Sequence, residues 1–136
     1  MSLFVDTSVW SRALRRDAPS PVDETRELRR AIEAGESLFT TGLVLQELLQ
    51  GFSGPRARDA ILDRFSALPL IVPDRSDHIE AAELRNTCRR SGIQIGTIDA
   101  LLAQLCIRHE LTMLTADADF RQVARLSALR LWPQST

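Results

Sequence analysis

The chain contains no lysine; all 17 of its basic residues are arginine. That excludes a P-loop, a Schiff-base lysine and any phosphotransfer site that needs an ammonium group to hold the phosphoryl. Arginine still suits phosphate, because its planar fork binds two oxygens at once. Long apolar runs are also missing. The longest fall far short of the ~18–20 residues that cross a bilayer, so no membrane partner is expected. The N-terminus shows no basic n-region, apolar h-region or cleavage site, which leads us to expect a cytoplasmic protein. Cysteine is scarce. Cys88 and Cys106 form no C-x-x-C pair and have no histidine at zinc-ligand spacing. They read as reduced thiols packed between helices. A net charge of −1 provides no global field to draw in nucleic acid. Nothing repeats, and no segment has the composition of a linker or a disordered tail.

With 136 residues, 44% hydrophobic and 26% charged, the chain reads as one soluble domain spanning 1–136. A chain of this length buries roughly two-thirds of its unfolded surface, enough for a core without disulfides or structural metals. What stands out is a set of lone acids. Each of the four most apolar stretches carries one isolated carboxylate: Asp6 after Leu3-Phe4-Val5, Glu47 within Leu43–Leu49, Asp99 within Ile98–Leu102, and Asp117 just past Leu111–Thr115. Burying an unpaired carboxylate costs several kcal/mol. One could be a satisfied core group. Four suggest a shared site, and a hard divalent cation is the usual partner of clustered carboxylates.

Strands are expected at Leu3–Asp6, Ser37–Thr41, Leu70–Val72, Leu111–Thr115 and Leu129–Trp132, each a short apolar run. Between them, helices are expected at Ser8–Arg16, Val22–Ala34 (ended by Gly35), Leu43–Gln50, Arg56–Leu68, Ser76 or Asp77 to Arg90 (ended by Ser91-Gly92), Thr97–His109 and Ala118–Arg125. Pro19-Ser20-Pro21 punctuates the first pair, and Gly51 with Gly54-Pro55 breaks the third helix. That helix and Thr97–His109 are apolar on most faces, which marks both as buried. Strand–helix alternation with continuous apolar strands means an α/β fold around a buried parallel sheet. Ligands of such sheets bind beyond the strands' carboxyl ends, where the strand order reverses. All four acids can converge on that edge.

Each acid also has a structural reading. Asp6 or Asp117 could cap the helix that follows it, and Asp99 could favour the positive end of its helix dipole, worth ~0.3–1 kcal/mol. Glu47, mid-helix among leucines, could be half of a buried Glu–Arg pair. Jointly these need four coincidences, whereas a cation site needs one cause. Two Mg²⁺ or Mn²⁺ ions can flank a phosphodiester and stabilise both its attacking and leaving oxygens.

The ordered segments Phe4-Val5-Asp6-Thr7-Ser8-Val9-Trp10, Val44-x-x-Glu47-Leu48, Ile98-Asp99-Ala100-Leu101-Leu102-Ala103 and Leu114-Thr115-x-Asp117-x-Asp119-Phe120, with the short terminal strand, resemble PIN domains over essentially the whole chain. Size and the lack of extra domains are most similar to VapC-type toxins of prokaryotic toxin–antitoxin pairs. The resemblance implies a Mg²⁺- or Mn²⁺-dependent endoribonuclease built on a five-stranded parallel sheet, order 3-2-1-4-5, in one three-layer domain flanked by helices. It implies that Asp6, Glu47, Asp99 and Asp117 form the acidic catalytic and metal-binding quartet, with Asp119 a secondary acidic position. Thr7 or Ser8, and Thr115, would assist as polar neighbours. RNA as substrate, a homodimer and a cognate VapB-type antitoxin follow from the same resemblance.

Arg12, Arg15 and Arg16 could hold RNA phosphates beside Asp6, or form a solvated helix face. Arg85, Arg89 and Arg90 pose the same choice. Trp10 reads as core rather than a base-stacking platform, and His78 and His109 as structural. Two competing functions remain. One is a PIN-fold interaction module without catalysis. The other is a metal-dependent phosphatase with an aspartyl nucleophile, disfavoured because Ser8 stands where a second aspartate is usual and lysine is absent.

Overall fold

The computed structural model describes residues 2–15 and 23–133. Its elements run β1 (Leu3–Val5), α1 (Thr7–Leu14), α2 (Asp23–Glu33), β2 (Leu38–Thr41), α3 (Gly42–Gly51), α4 (Pro55–Phe65), β3 (Leu70–Ile71), α5 (Arg75–Arg90), α6 (Thr97–Arg108), β4 (Thr112–Leu114), α7 (Asp119–Leu126) and β5 (Arg130–Leu131). The strands form one five-stranded sheet in the order β3-β2-β1-β4-β5. All four pairings are parallel. The expected α/β architecture and strand order are therefore observed.

Continuous apolar strands mark a sheet covered on both faces. Leu3, Phe4, Val5, Met113 and Leu114 are indeed fully buried at its centre. The chain lays β2 and β3 on one side of β1 and returns to lay β4 and β5 on the other. The strand order thus reverses at β1 and β4, the place where the ends of parallel sheets open into a crevice. Val5 lies opposite Leu114, so the residues that leave these strands, Asp6 and Thr115, emerge side by side.

Helix α6 meets the expectation of a nearly all-round apolar helix: Ala100–Ala103, Leu105 and Cys106 are all buried. Helix α3 does not. Only Val44 and Leu48 are buried, one turn apart, while Gln46, Glu47 and Gln50 are exposed. A single i, i+4 stripe seats this helix on the core, and Leu43, Leu45 and Leu49 are only half-covered. Glu47 is thus an exposed carboxylate, not a buried one.

The long helix α5 begins earlier than the sequence suggested. Asp74 is its N-cap, not Ser76 or Asp77. Asp77 completes a capping box, each backbone amide donating to the other residue's carboxylate at 2.9 Å. Asp77 is fully buried and also receives the Arg108 guanidinium, Nε to Oδ1 at 2.6 Å and Nη2 to Oδ2 at 2.7 Å. Burial alone would raise the Asp77 carboxyl; Arg108 and the Asp74 amide outweigh it and hold it below the usual carboxylate range. This pair fastens the start of α5 to the end of α6. At the other end, Gly92 takes φ +79°, which lets the Ile93 amide turn back to the Cys88 carbonyl at 2.8 Å. Helix α4 starts at Pro55, a residue suited to a first helical position. Cys88 and Cys106 are free and buried, as expected. Trp10 is core, 5.1 Å from the Phe65 ring. Val22, Arg16 and Pro19-Ser20-Pro21 lie outside the described residues.

Candidate active site

Asp6 ends β1 and precedes α1, the geometry of an N-cap, yet its side chain caps nothing. It turns instead toward β4. Ser8 Oγ and Thr115 Oγ1 each donate to Asp6 Oδ2 at 2.8 Å. Thr115 in turn accepts the Asp117 amide at 3.0 Å, and Ser8 accepts the Ala116 amide at 3.0 Å. Two hydroxyls thus tie the ends of β1 and β4 together and fix one oxygen of a buried carboxylate. Hydrogen bonds to a carboxylate are stronger than neutral ones, so this clasp is rigid.

Asp117 is half-buried, and it is not the N-cap of α7, since Ala118 occupies that position. Its Oδ1 accepts the Asp119 amide at 2.9 Å, which orients the carboxylate at the start of α7. Asp119 itself is exposed. Glu47 is reached from α1: Thr7 Oγ1 donates to Glu47 Oε1 at 3.0 Å. Thr41 caps α3 by accepting the Val44 amide, which sets the rotation of the helix that carries Glu47. Asp99 lies half-buried in the first turn of α6.

The acids are close enough to act on one another. The Asp99 carboxyl is pushed up to about 6, first by burial and then by the negative charges of Asp6, Asp117, Glu47 and Asp119. Beneath them, Cys106 has its thiol raised by burial and by Asp6. Elements from both halves of the sheet therefore bring all five acids to one edge. Among the described residues, none of the five has an arginine within ion-pair distance.

Arginines that the sequence left ambiguous divide by location. Arg12, in the last turn of α1, and Arg15, which follows it, are exposed; Arg16 is outside the described residues. Arg85 donates to the Ile95 carbonyl at 2.8 Å and braces the loop leading into α6, and Arg90 donates to Thr87. Sequence reasoning missed one feature. A cavity of about 680 Å³ opens beside Thr115 and Asp117, with Arg121 and Trp132 in its wall. The available signal was that β5 runs parallel to β4, which delivers Trp132 to the same sheet edge as Asp117.

Comparison with known proteins places this geometry. The model of the family described as PIN domain matches residues 3–126. The chain belongs to the PIN-domain family. A VapC ribonuclease from Mycobacterium bovis is 29% identical over 130 residues, covering 94% of this chain and 96% of that protein. Ribonuclease VapC11 of Mycobacterium tuberculosis matches this PIN domain to the same extent, 29% over 130 residues with 94% and 96% covered. The structure of VapBC2 from Rickettsia felis, bound to a DNA fragment from their promoter, shares the fold. Its TM-score is 0.75 at 22% identity, with 96% of this chain and 97% of that one covered.

Proposed function

We propose that this PIN domain is a metal-dependent endoribonuclease and the toxin of a VapBC-type toxin–antitoxin pair. The observation that carries the reading is the edge where Asp6, Glu47, Asp99 and Asp117 meet without a cationic partner among the described residues. VapC ribonucleases related over nearly the whole length support it. We assign Asp6, Glu47, Asp99 and Asp117 as the catalytic and metal-binding acids, with Asp119 secondary and Thr7, Ser8 and Thr115 as the hydroxyls that aim them.

The donor set fits Mg²⁺ or Mn²⁺ chemically: all oxygen, anionic and uncompensated. Among the described residues no three acids already enclose a point as ion ligands. Mg²⁺ asks for less, since one or two carboxylates plus waters usually suffice. One or two of Asp6, Asp99 and Asp117, with waters, would hold the ion, and it would supply charge neutralisation for an in-line displacement at phosphorus. The protein's own work is positioning. Ser8 and Thr115 fix Asp6, and the Asp119 amide fixes Asp117. Thr7 occupies Oε1 of Glu47, leaving Oε2 to accept the proton of the attacking water. Water adds to phosphorus as its proton passes to Glu47, the bond to the 3′ oxygen breaks and that oxygen takes a proton from solvent, so the products carry a 5′-phosphate and a 3′-hydroxyl.

The partners proposed are RNA, a VapB-type antitoxin and a second copy of the chain. The exposed Arg12 and Arg15, with Arg16, would contact RNA phosphates. No helix among the described residues is long and apolar enough to cross a membrane, and we propose a cytoplasmic site of action. The test is cleavage of labelled RNA by purified protein, first with EDTA and then with Mg²⁺ or Mn²⁺ restored. Cleavage in EDTA, or none with either ion, would overturn the assignment. A non-catalytic interaction module predicts the second result.

A further inference from the structure

The cavity beside Asp117 is not explained by the acidic edge alone. It shares Thr115 and Asp117 with that edge, and its volume of about 680 Å³ falls within the ~300–1,000 Å³ typical of small-molecule sites. Its other walls have a distinct chemistry. Trp132 contributes a half-buried indole, and Ala124, Leu131 and Pro133 add apolar surface. Two arginines line it. Arg130 is already engaged with the Glu110 carbonyl, whereas Arg121 is exposed on α7 and makes no ion pair among the described residues. Glu24, from α2, lines the same space and likewise has no ion-pair partner among them. An aromatic residue, a guanidinium without an ion pair among the described residues and a carboxylate acceptor around one polar cavity match the base of a nucleotide, its phosphate and an amine on that base. A simple anion site would not include Glu24, and a purely apolar pocket would not include Arg121.

We propose that this cavity binds the nucleotide next to the bond that is cut. Its base stacks on Trp132, its phosphate pairs with Arg121, and its exocyclic amine donates to Glu24. This rests on the ribonuclease reading, because continuity with Asp117 is what places the nucleotide beside the scissile phosphate. The carboxylate can only accept hydrogen bonds; adenine, cytosine and guanine offer it an exocyclic amine, whereas uracil offers only N3–H flanked by two carbonyl oxygens that repel the carboxylate, so the amine-bearing bases are favoured over uracil. Arg121 and Trp132 set which phosphodiester enters the acidic edge, and they take no part in bond breaking.

The test compares wild type with Arg121→Ala, Trp132→Ala, Trp132→Phe and Glu24→Gln, each checked for an unchanged melting temperature. The probes are end-labelled oligo(A), oligo(C) and oligo(U) of equal length, with binding followed by fluorescence anisotropy of the label, tryptophan quenching recorded for the proteins that keep Trp132, and cleavage by product sequencing. Wild type should bind oligo(A) and oligo(C) more tightly than oligo(U), with Trp132 quenched. Trp132→Ala should weaken binding about tenfold or more, with Phe restoring most of it. Arg121→Ala should reduce the magnitude of the salt slope of binding by ~0.7, raising KM with little change in kcat. Glu24→Gln should narrow the gap between oligo(C) and oligo(U). If wild type cleaves RNA but Arg121→Ala and Trp132→Ala keep its KM and its preference around the cut, the cavity is not a nucleotide site. If Trp132→Ala unfolds, the Arg121→Ala and Glu24→Gln results decide alone. Absence of cleavage by wild type overturns the ribonuclease reading instead, a distinguishable outcome.

Discussion

Replacing Asp99 with asparagine should stabilise the metal-free protein at pH 7, and magnesium should reverse that order. In the folded chain the Asp99 carboxyl rises from 3.8 to about 6, through burial and then the charges of Asp6, Asp117, Glu47 and Asp119. A raised acid pKa means the folded state holds its proton more tightly than the unfolded one. The resulting penalty is absent below the unfolded value, grows as pH rises between 3.8 and about 6, and is complete above that. Unscreened, a rise of that size corresponds to about 3 kcal/mol. Asp99 is only half-buried, and solvent screening brings the penalty nearer ~1–2 kcal/mol. Asparagine removes the charge at nearly constant shape but also forfeits a favourable helix-start interaction of ~0.3–1 kcal/mol. The net gain is about 1 kcal/mol, a rise of roughly 3–5 °C in Tm for a domain of this size. The assay is thermal melting in EDTA at pH 4 and pH 7, then in Mg²⁺ at pH 7. At pH 4 the two proteins should melt together. Mg²⁺ at ~100-fold excess over its dissociation constant should raise wild type by about 2.7 kcal/mol, and the variant far less. A variant that melts below wild type in EDTA at pH 7, together with no magnesium effect on either, would refute the shared-site argument and leave Asp99 as a helix-start carboxylate.

Asp6→Asn, Glu47→Gln, Asp99→Asn and Asp117→Asn should each abolish RNA cleavage with the fold intact by circular dichroism. Their combined loss should be far below the product of the single losses; near-full activity in any two would count against one common site. Thr115→Val, which removes one hydroxyl from Asp6 Oδ2 and the acceptor of the Asp117 amide, should lower kcat more than it raises KM. The triple change of Arg12, Arg15 and Arg16 to alanine should reduce the salt slope of RNA binding by ~0.7 for each phosphate left without its arginine, with metal affinity unchanged; an unaltered slope assigns these arginines to a solvated face. Arg108→Ala should destabilise by ~3–5 kcal/mol by leaving buried Asp77 unpaired, read as a large fall in Tm. Because the folded Asp77 carboxyl is held low, the pair's contribution is present at neutral pH and is lost as pH falls through that lowered value.

The sheet was legible because each strand is a short continuous apolar run, and only a sheet covered on both faces asks for Leu3-Phe4-Val5 or Thr112-Met113-Leu114. The acids were legible through their isolation in those runs, but the physical inference was only partly right. Of the four, only Asp6 is buried; Asp99 and Asp117 are half-buried and Glu47 is exposed. Leucine density in α3 suggested an interior helix, yet only Val44 and Leu48 are fully buried, with Leu43, Leu45 and Leu49 half-covered against the core. Periodicity cannot reveal how much of a helix its neighbours cover. The clasp of Ser8 and Thr115 on Asp6 was likewise out of reach, because it depends on the register of β1 against β4, 109 residues apart along the chain. Asp74 went unseen as a cap, since Ser76 and Asp77 just beyond it read equally well as helix starts. Arg121, Trp132 and Glu24 share a cavity only through the placement of β5 and α2 beside β4 and α7.

We propose that the carboxylates at the ends of β1 and β4, with those of α3 and α6, serve metal-dependent cleavage of RNA. The most direct measurement is mapping RNA ends after incubation with purified wild-type protein and with Asp6→Asn, each in EDTA and in Mn²⁺. New 5′-phosphate ends should appear at defined positions only for wild type with Mn²⁺. Equal cleavage by Asp6→Asn, or ends that appear in EDTA, would contradict it.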